Sequence, residues 1–305
     1  MHRHDHQHDH GVSQKLVIAS LATLVFVVAE IVVGVWANSL ALIGDAVHNF
    51  TDALALLLAL FAVRLERRPA TAEKSYGYHR AGVLAAFINA GTLLALTIYI
   101  FWEAIVRLRA PAAVDSGAML ATAAVALVLN SAITLWLREA GRHDINIRSA
   151  VLHMLGDAIS SAGIIGAALL IRMTGATYWD AIVSLGIAIL ILWSSWGVLR
   201  EAVNMLLEGT PAGIDPEAVT RALAALEGVQ GVHHLHIWAL GPSRPALSCH
   251  LMVGDVPVKS TGNLLSRVNE ILEHDFGIAH STVQFEFASC DVDDPYCVPY
   301  SVRDT

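Results

Sequence analysis

Charged residues are scarce in this chain. Asp, Glu, Lys and Arg make up 15% of its 305 residues, whereas soluble proteins carry about 25%. Hydrophobic residues reach 55%, and the mean hydropathy is +0.56. This composition excludes an ordinary soluble protein and predicts a polytopic membrane protein with room for one soluble domain. The net charge of −8 is modest for this length, so a nucleic-acid partner is not expected.

Cysteine is almost missing as well. The three cysteines all lie beyond residue 248, so they do not form a disulfide framework. A secretory signal is also missing, because the first ten residues are polar and His-rich rather than basic and then apolar. We therefore expect the first apolar segment to stay as a membrane anchor.

Histidine, in contrast, is concentrated at the start of the chain. Residues 1–14 are polar, and their imidazoles alternate with Arg, Asp and Gln. Such a segment cannot form a core, which predicts a disordered tail able to capture a soft or borderline metal weakly. A solvated tail or a cloning tag is the alternative. The histidines are His2, His4, His6, His8 and His10.

Six apolar stretches follow, each near the ~20 residues that a spanning helix needs. They predict an all-α bundle of six transmembrane helices with both termini on one side. The connections after the second and fourth stretches are rich in Lys and Arg, which predicts that these loops and both termini are cytoplasmic. The stretches are 16–36, 40–63, 81–106, 117–137, 149–171 and 180–200.

The chain becomes a small soluble domain after Glu208. Helical patterns run over 215–227 and 257–274, and strand patterns over 232–240, 246–253 and 281–287. The order αββαβ predicts a compact α+β module with its helices on one face of the sheet. The predicted segments are a disordered tail at 1–14, a transmembrane domain at 15–208, a cytoplasmic metal-binding domain at 209–290 and a C-terminal tail at 291–305.

Two His-x-x-x-Asp pairs lie inside the apolar stretches. His48 and Asp52 are in the second, and His153 and Asp157 are in the fifth. Residues four apart share one helix face, and ionisable groups in a bilayer are costly unless they serve an ion path or bind something. Hydrogen bonds that merely join helices are the alternative. The repeated spacing in separate spans favours an ion site.

The two pairs together suit a tetrahedral Zn²⁺ site. The absence of thiolate disfavours Cu(I), and the imidazoles disfavour Mg²⁺ and Ca²⁺, whereas Co²⁺, Cd²⁺ and Ni²⁺ stay open. Protons compete with metal for the same ligands, and His48 and His153 are the expected proton carriers. Asp45 remains open as a proton relay, an entrance group or a packing acid.

Four stretches together resemble the cation diffusion facilitator family, most closely its zinc-type bacterial members. They are SLALIGDAVHNFTD at 39–52, YGYHR at 76–80, HMLGD at 153–157 and LHIWAL at 235–240. The resemblance implies a homodimer in the bacterial inner membrane, with a cytoplasmic ferredoxin-like domain in each protomer. It also implies divalent-metal efflux coupled to proton entry, with the transport ligands His48, Asp52, His153 and Asp157.

The resemblance further implies a regulatory metal in the cytoplasmic domain. Neighbouring imidazoles at His234 and His236 are alternatives, and each histidine taken singly fits a surface or packed strand residue. Cys290 and Cys297 could add ligands, but their spacing is not the short Cys-x-x-Cys. The matching positions are His233, His250, His280 and Glu286.

These features favour a secondary transporter that has Zn²⁺ as its substrate and regulatory ligand and needs no cofactor. The rival hypothesis is a membrane-anchored metal sensor whose cytoplasmic domain is the working part. An enzyme is not expected, because a His₂Asp₂ site leaves no open coordination position and no nucleophile motif is evident. A passive channel would need a lined pore.

Overall fold

The computed structural model describes residues 23–137, 145–242, 244–255 and 257–287. Within these ranges the order of elements is six helices, then αββαβ. The helices are α1 (Thr23–Trp36), α2 (Leu40–Glu66), α3 (Ala81–Arg109), α4 (Ser116–Leu137), α5 (Ile145–Thr174), α6 (Tyr178–Leu206), α7 (Pro216–Ala224) and α8 (Val258–Phe276). The strands are β1 (Val229–Gly241), β2 (Arg244–Val253) and β3 (His280–Glu286).

Helices α2 to α6 are each long and apolar enough to cross a membrane. They correspond to the predicted second to sixth spans. The first predicted span is only partly covered, because residues 16–22 lie outside the described residues, as do the tails at 1–14 and 291–305. Five spanning helices are therefore seen in the part of the chain that the structure describes, and the sixth stays a prediction.

The first compact unit comprises residues within 1–58 and 88–199. Its core packs large side chains such as Leu42, Met119 and Ile164 against several alanines, all nearly or fully buried. Small residues let membrane helices approach closely. Large apolar side chains such as Trp193 and Met173 point outward instead, as expected where helices face lipid.

The second compact unit comprises residues within 59–87 and 200–305 and contains the three-stranded sheet, ordered β1-β2-β3. Strand β2 pairs antiparallel with β1 and parallel with β3. Alternate residues of β2 point to one face, where Leu247, Cys249 and Leu251 pack against α7 and α8 through residues such as Leu223 and Leu272. Both helices therefore cover the same face, as the sequence predicts.

The ends of α7 and α8 follow from local chemistry. Asp215 caps α7 by accepting a hydrogen bond from the backbone N–H of Glu217, and Pro216 occupies the first turn, which are preferred residues for these positions. Helix α8 ends at Gly277, whose φ of +68° is a left-handed conformation that glycine adopts without strain.

The first two strands are longer than predicted. Pairing continues to Gly241 and Arg244, so the connection between the strands is shorter than the predicted five residues. Strand β1 also has an irregular register between His233 and His236, where His234 has a φ of +50°. Such a bulge re-aims side chains that simple alternation would place on opposite faces.

Candidate metal centres

The two His-x-x-x-Asp pairs face each other across α2 and α5. His153 Nε2 lies 3.2 Å from Asp52 Oδ2 and 3.6 Å from Asp157 Oδ2, and His48 Nε2 lies 3.6 Å from Asp52 Oδ2. The two imidazole centroids are 5.7 Å apart. Ligand atoms of His48, Asp52 and His153 all lie within 4.8 Å of one another, and Asp157 adjoins this group through His153.

Two atoms at this site are buried without a hydrogen-bond partner among the described residues. They are Oδ2 of Asp157 and Nδ1 of His48. An unpaired buried carboxylate oxygen is costly in a folded protein. Ser161 Oγ, one turn later in α5, donates to the backbone carbonyl of Asp157 rather than to its carboxylate. The geometry therefore leaves an acceptor available to a cation.

Asp45 lies apart from the metal-ligand group. Its carboxylate accepts a 2.5 Å hydrogen bond from Ser160 Oγ of α5 and a 3.5 Å bond from Asn49 Nδ2, and the residue is 1% exposed. Asp45 thus links α2 to α5 through a satisfied side chain, which suits the packing interpretation and leaves a relay role as a prediction.

Glu30 of α1 is a further buried acid. In an apolar stretch such an acid is expected to make an interhelical hydrogen bond or to support a metal ligand, and neither of its carboxylate oxygens has a hydrogen-bond partner among the described residues. It is close enough to Asp45 and Asp157 to interact with them electrostatically. Three buried acids therefore share one region of the helical unit.

A second group of ligand atoms lies in the sheet. Glu286 Oε2 is 2.9 Å from His233 Nε2, and Glu286 Oε1 is 3.0 Å from His250 Nδ1. The ligand atoms of these three residues lie within 4.8 Å of one another. The pairing explains this: His233 lies opposite His250, and His250 lies opposite Gln284, two residues before Glu286.

The electrostatics of this group favour deprotonated ligands. Burial lowers the pKa of His250, assisted by the neighbouring imidazoles and opposed by Glu286. Burial alone would raise the pKa of Glu286, but hydrogen bonds from His233 and Gln284 outweigh it and lower the pKa. A neutral imidazole and an ionised carboxylate are the forms that bind metal.

His280 does not join this group. It begins β3 opposite Ala246, and its ring lies 5.7 Å from that of Tyr76. The predicted four-residue set thus has three members together and His280 elsewhere. His234 comes closer instead, because the bulge brings its ring centroid to 4.7 Å from that of His250.

Only one of the three cysteines lies in the part of the chain that the structure describes. Cys290 and Cys297 lie outside the described residues. Cys249 is 1% exposed, and burial raises the pKa of its thiol to about 12. A thiol that stays protonated in the core is a packing residue rather than a metal ligand.

Comparison with known proteins covers almost the whole chain. Residues 16–207 match the family described as the cation efflux transmembrane domain, and residues 211–288 match the cytoplasmic domain of cation efflux proteins. With five spanning helices in the described part, these matches make the chain a multi-pass membrane protein of a transporter family.

Curated relatives are similar over most of their length. The chain is 40% identical to a protein named zinc transporter ZitB from Pectobacterium atrosepticum, covering 95% of this chain and 91% of that protein. It is 37% identical to metal cation efflux system protein CzcD from Cupriavidus metallidurans, over 94% of this chain and 91% of the relative. It is 36% identical to a cadmium, cobalt and zinc/H(+)-K(+) antiporter from Bacillus subtilis, over 92% and 91%. The chain therefore belongs to the cation diffusion facilitator, or cation efflux, family and is one of its zinc-type members.

Proposed function

We propose that this protein exports Zn²⁺ from the cytoplasm in exchange for protons, by alternating access around His48, Asp52, His153 and Asp157. The observation that supports it most is the close approach of ligand atoms from α2 and α5, within 4.8 Å for His48, Asp52 and His153. Two imidazoles and two carboxylates are a suitable set for tetrahedral zinc. The names of the curated relatives, zinc transporter and cadmium, cobalt and zinc antiporter, support the same substrate class. Cd²⁺, Co²⁺ and Ni²⁺ remain further candidates.

Proton coupling follows from competition for the same atoms. Asp52 Oδ2 lies within 3.6 Å of both imidazole Nε2 atoms, so metal and protons would compete for one compact group of side chains. Zinc needs the imidazoles neutral, and its binding therefore releases protons. Protons arriving from outside would then displace metal outward, and metal arriving from the cytosol would displace protons inward.

The rest of the proposal concerns assembly and location. The protein would act as a homodimer in the bacterial inner membrane, with six spans per protomer and both termini cytoplasmic, as the basic loops favour. The match of residues 211–288 to the cytoplasmic domain of cation efflux proteins supports a cytoplasmic ferredoxin-like domain that takes part in the dimer. Zinc would be substrate and regulatory ligand, the latter at His233, His250 and Glu286, and no cofactor or enzymatic role is proposed.

A membrane-anchored metal sensor is the second candidate, and the compact group at His233, His250 and Glu286 favours it. A sensor needs no metal path through the helices. It would therefore keep its metal response after Asp157→Ala and carry no flux.

Zinc flux into everted vesicles, with and without an imposed pH gradient, tests the proposal. The wild type is expected to accumulate zinc faster with the gradient, and Asp52→Ala with Asp157→Ala should abolish the uptake because two of four ligands are lost. Asp215→Ala with Asp275→Ala, two acids in the soluble domain, is the matched control. Unchanged flux in the Asp52 and Asp157 double variant would refute the site.

A further inference from the structure

The turn between α1 and α2 is tightly specified. Asn38 adopts a φ of +52°, its N–H donates to the carbonyl of Val35 at 3.2 Å, and the N–H of Ser39 donates to the carbonyl of Gly34 at 3.0 Å. This pair of bonds is a Schellman ending, in which asparagine can replace glycine. The chain therefore reverses within three residues, and α2 starts at Leu40.

The first amides of α2 need partners, because a helix cannot satisfy its own first four N–H groups and lipid offers none. Ser39 supplies part of the cap: its Oγ accepts from Leu42 N–H at 3.3 Å. Acceptors for the first two amides of α2 come from another helix. Asp180, near the start of α6, accepts from Leu40 N–H at 2.8 Å, from Ala41 N–H at 3.2 Å and from Ser39 Oγ at 2.7 Å.

This interhelical cap is buried and has a cation beside it. Asp180 is 1% exposed, and Arg107 Nη1 lies 4.0 Å from its carboxylate. Arg107 is itself held by Glu103 and donates to the carbonyl and side-chain oxygens of Asn38 at 2.7 and 2.9 Å. Arg107 of α3 therefore bonds the turn before α2, and Asp180 of α6 bonds the first amides of α2.

We propose that Asp180 is a positioning residue for the transport site, and that it acts by fixing the start of α2 against α6. His48 lies eight residues after Leu40, about 12 Å along the same helix. The site is shared between α2 and α5, so a shift or rotation of α2 moves His48 and Asp52 relative to His153. A metal site tolerates displacements of only about 0.5 Å.

The chemistry of the cap identifies the informative variants. Three donors converge on Asp180, so the group must act as an acceptor only. Asp180→Asn keeps the shape but replaces one acceptor oxygen by an N–H₂ donor. Ser39→Ala removes one bond to Asp180 and the local cap of Leu42, and it is milder. Asp215→Asn makes the same change at the N-cap of α7 and serves as the matched control.

The inference rests on the proposed function, and its test is zinc binding and flux measured together. Calorimetry on the purified full-length protein gives the zinc Kd, in a Glu286→Gln background that removes one cytoplasmic ligand. Uptake by vesicles gives KM and maximal rate per folded transporter. Thermal unfolding reports the amount and stability of folded protein for each variant.

We expect Asp180→Asn to raise Kd and KM about tenfold, the lower end of the range for groups that hydrogen-bond a metal ligand directly, because Asp180 acts on the ligands only through α2. Ser39→Ala should raise Kd and KM by a smaller factor. The effects of Asp180→Asn and Ser39→Ala should not add in the double variant, because the two residues belong to one cap. Asp215→Asn should leave Kd and KM unchanged. If Asp180→Asn does not fold, Ser39→Ala decides the question alone.

Three results would overturn the inference. In the first, Asp180→Asn yields less folded protein with unchanged Kd and KM, which marks a purely structural role. In the second, Asp180→Asn abolishes binding while Ser39→Ala has no effect, which makes Asp180 a direct ligand. In the third, neither variant changes Kd or KM. Flux that survives loss of Asp52 and Asp157 would instead refute the proposed function.

Discussion

Asp52 is the residue on which the two halves of the candidate site converge. Its Oδ2 adjoins His48 on its own helix and His153 on the other. The two imidazoles then decide what kind of cation the group prefers, because nitrogen ligands suit zinc and oxygen ligands suit harder ions such as Mn²⁺.

His48→Asp should therefore shift the metal preference. We expect the ratio of Zn²⁺ to Mn²⁺ uptake to fall by about tenfold or more, since an imidazole is exchanged for a hard oxygen ligand. Competition between the two ions in everted vesicles measures the ratio. His236→Asp, in strand β1 and outside both ligand groups, is the control. An unchanged ratio in His48→Asp would mean that this imidazole does not bind the transported ion.

At the level of elements, periodicity and spacing predicted the helices and strands well. Helix α5 extends a few residues beyond the predicted 149–171, and α7, α8 and the three strands appear in the expected order. Local patterns suffice here because apolar length and turn residues determine where each element begins and ends. Local patterns could not predict the cap that Asp180 makes on α2, because the residues that Asp180 contacts lie 139 to 141 positions earlier in the chain.

The pairing of the strands likewise could not be predicted from local patterns. Its register decides which histidines meet, and local patterns of residues do not give that register. Parallel pairing of β2 and β3 brings Glu286 to His250 and leaves His280 at the other end of the strand. The bulge in β1 then turns His234 toward His250, which no count of alternating residues predicts.

The same cluster predicts how the stability of the sheet depends on pH. The folded-state pKa of His250 lies below 6.5, so the unfolded chain takes up a proton first as the pH falls through 6.5. The folded-state pKa of Glu286 lies below 4.5, so its contribution is present above 4.5 and is lost as the pH falls through the folded value. Both effects have one sign, and acid should destabilise the metal-free domain.

Hydrogen exchange of β1 to β3 in the metal-free full-length protein, corrected for the intrinsic rate, measures this effect. Protection should decrease from pH 7 to pH 5 and decrease further below pH 4.5. The Glu286→Gln variant should lose the lower step and keep a larger upper one, because Glu286 opposes the lowering of the His250 pKa. Protection that increases in acid would contradict the assigned shifts.

On the scale of the whole molecule, the two ligand groups lie in different compact units of the chain. In the proposed function, one group carries metal and the other reports it. If metal in the cytoplasmic group shifts the population of two conformations, it should change the zinc concentration at which transport begins rather than the chemistry of the step itself.

Glu286→Gln tests that separation. We expect the cytosolic zinc concentration for half-maximal uptake to rise several-fold, while the maximal rate stays near that of the wild type, because the transport ligands are untouched. Initial rates across a range of zinc concentrations give both quantities, and Glu227→Gln, which changes an exposed acid outside the ligand group, is the control. A lowered maximal rate with unchanged half-saturation would contradict the regulatory role.

The uneven burial of the transport ligands has a kinetic consequence. The side chains of Asp52 and His153 are 35% and 38% exposed, whereas that of Asp157 is 5% exposed. In a conformation whose open side meets water, a bound ion would thus have one side that water can reach and one side closed by the helices. Water could replace Asp52 and His153 one at a time, so the ion need never lose all its ligands together. Such stepwise exchange lets a site hold its ion firmly and still release it within one turnover.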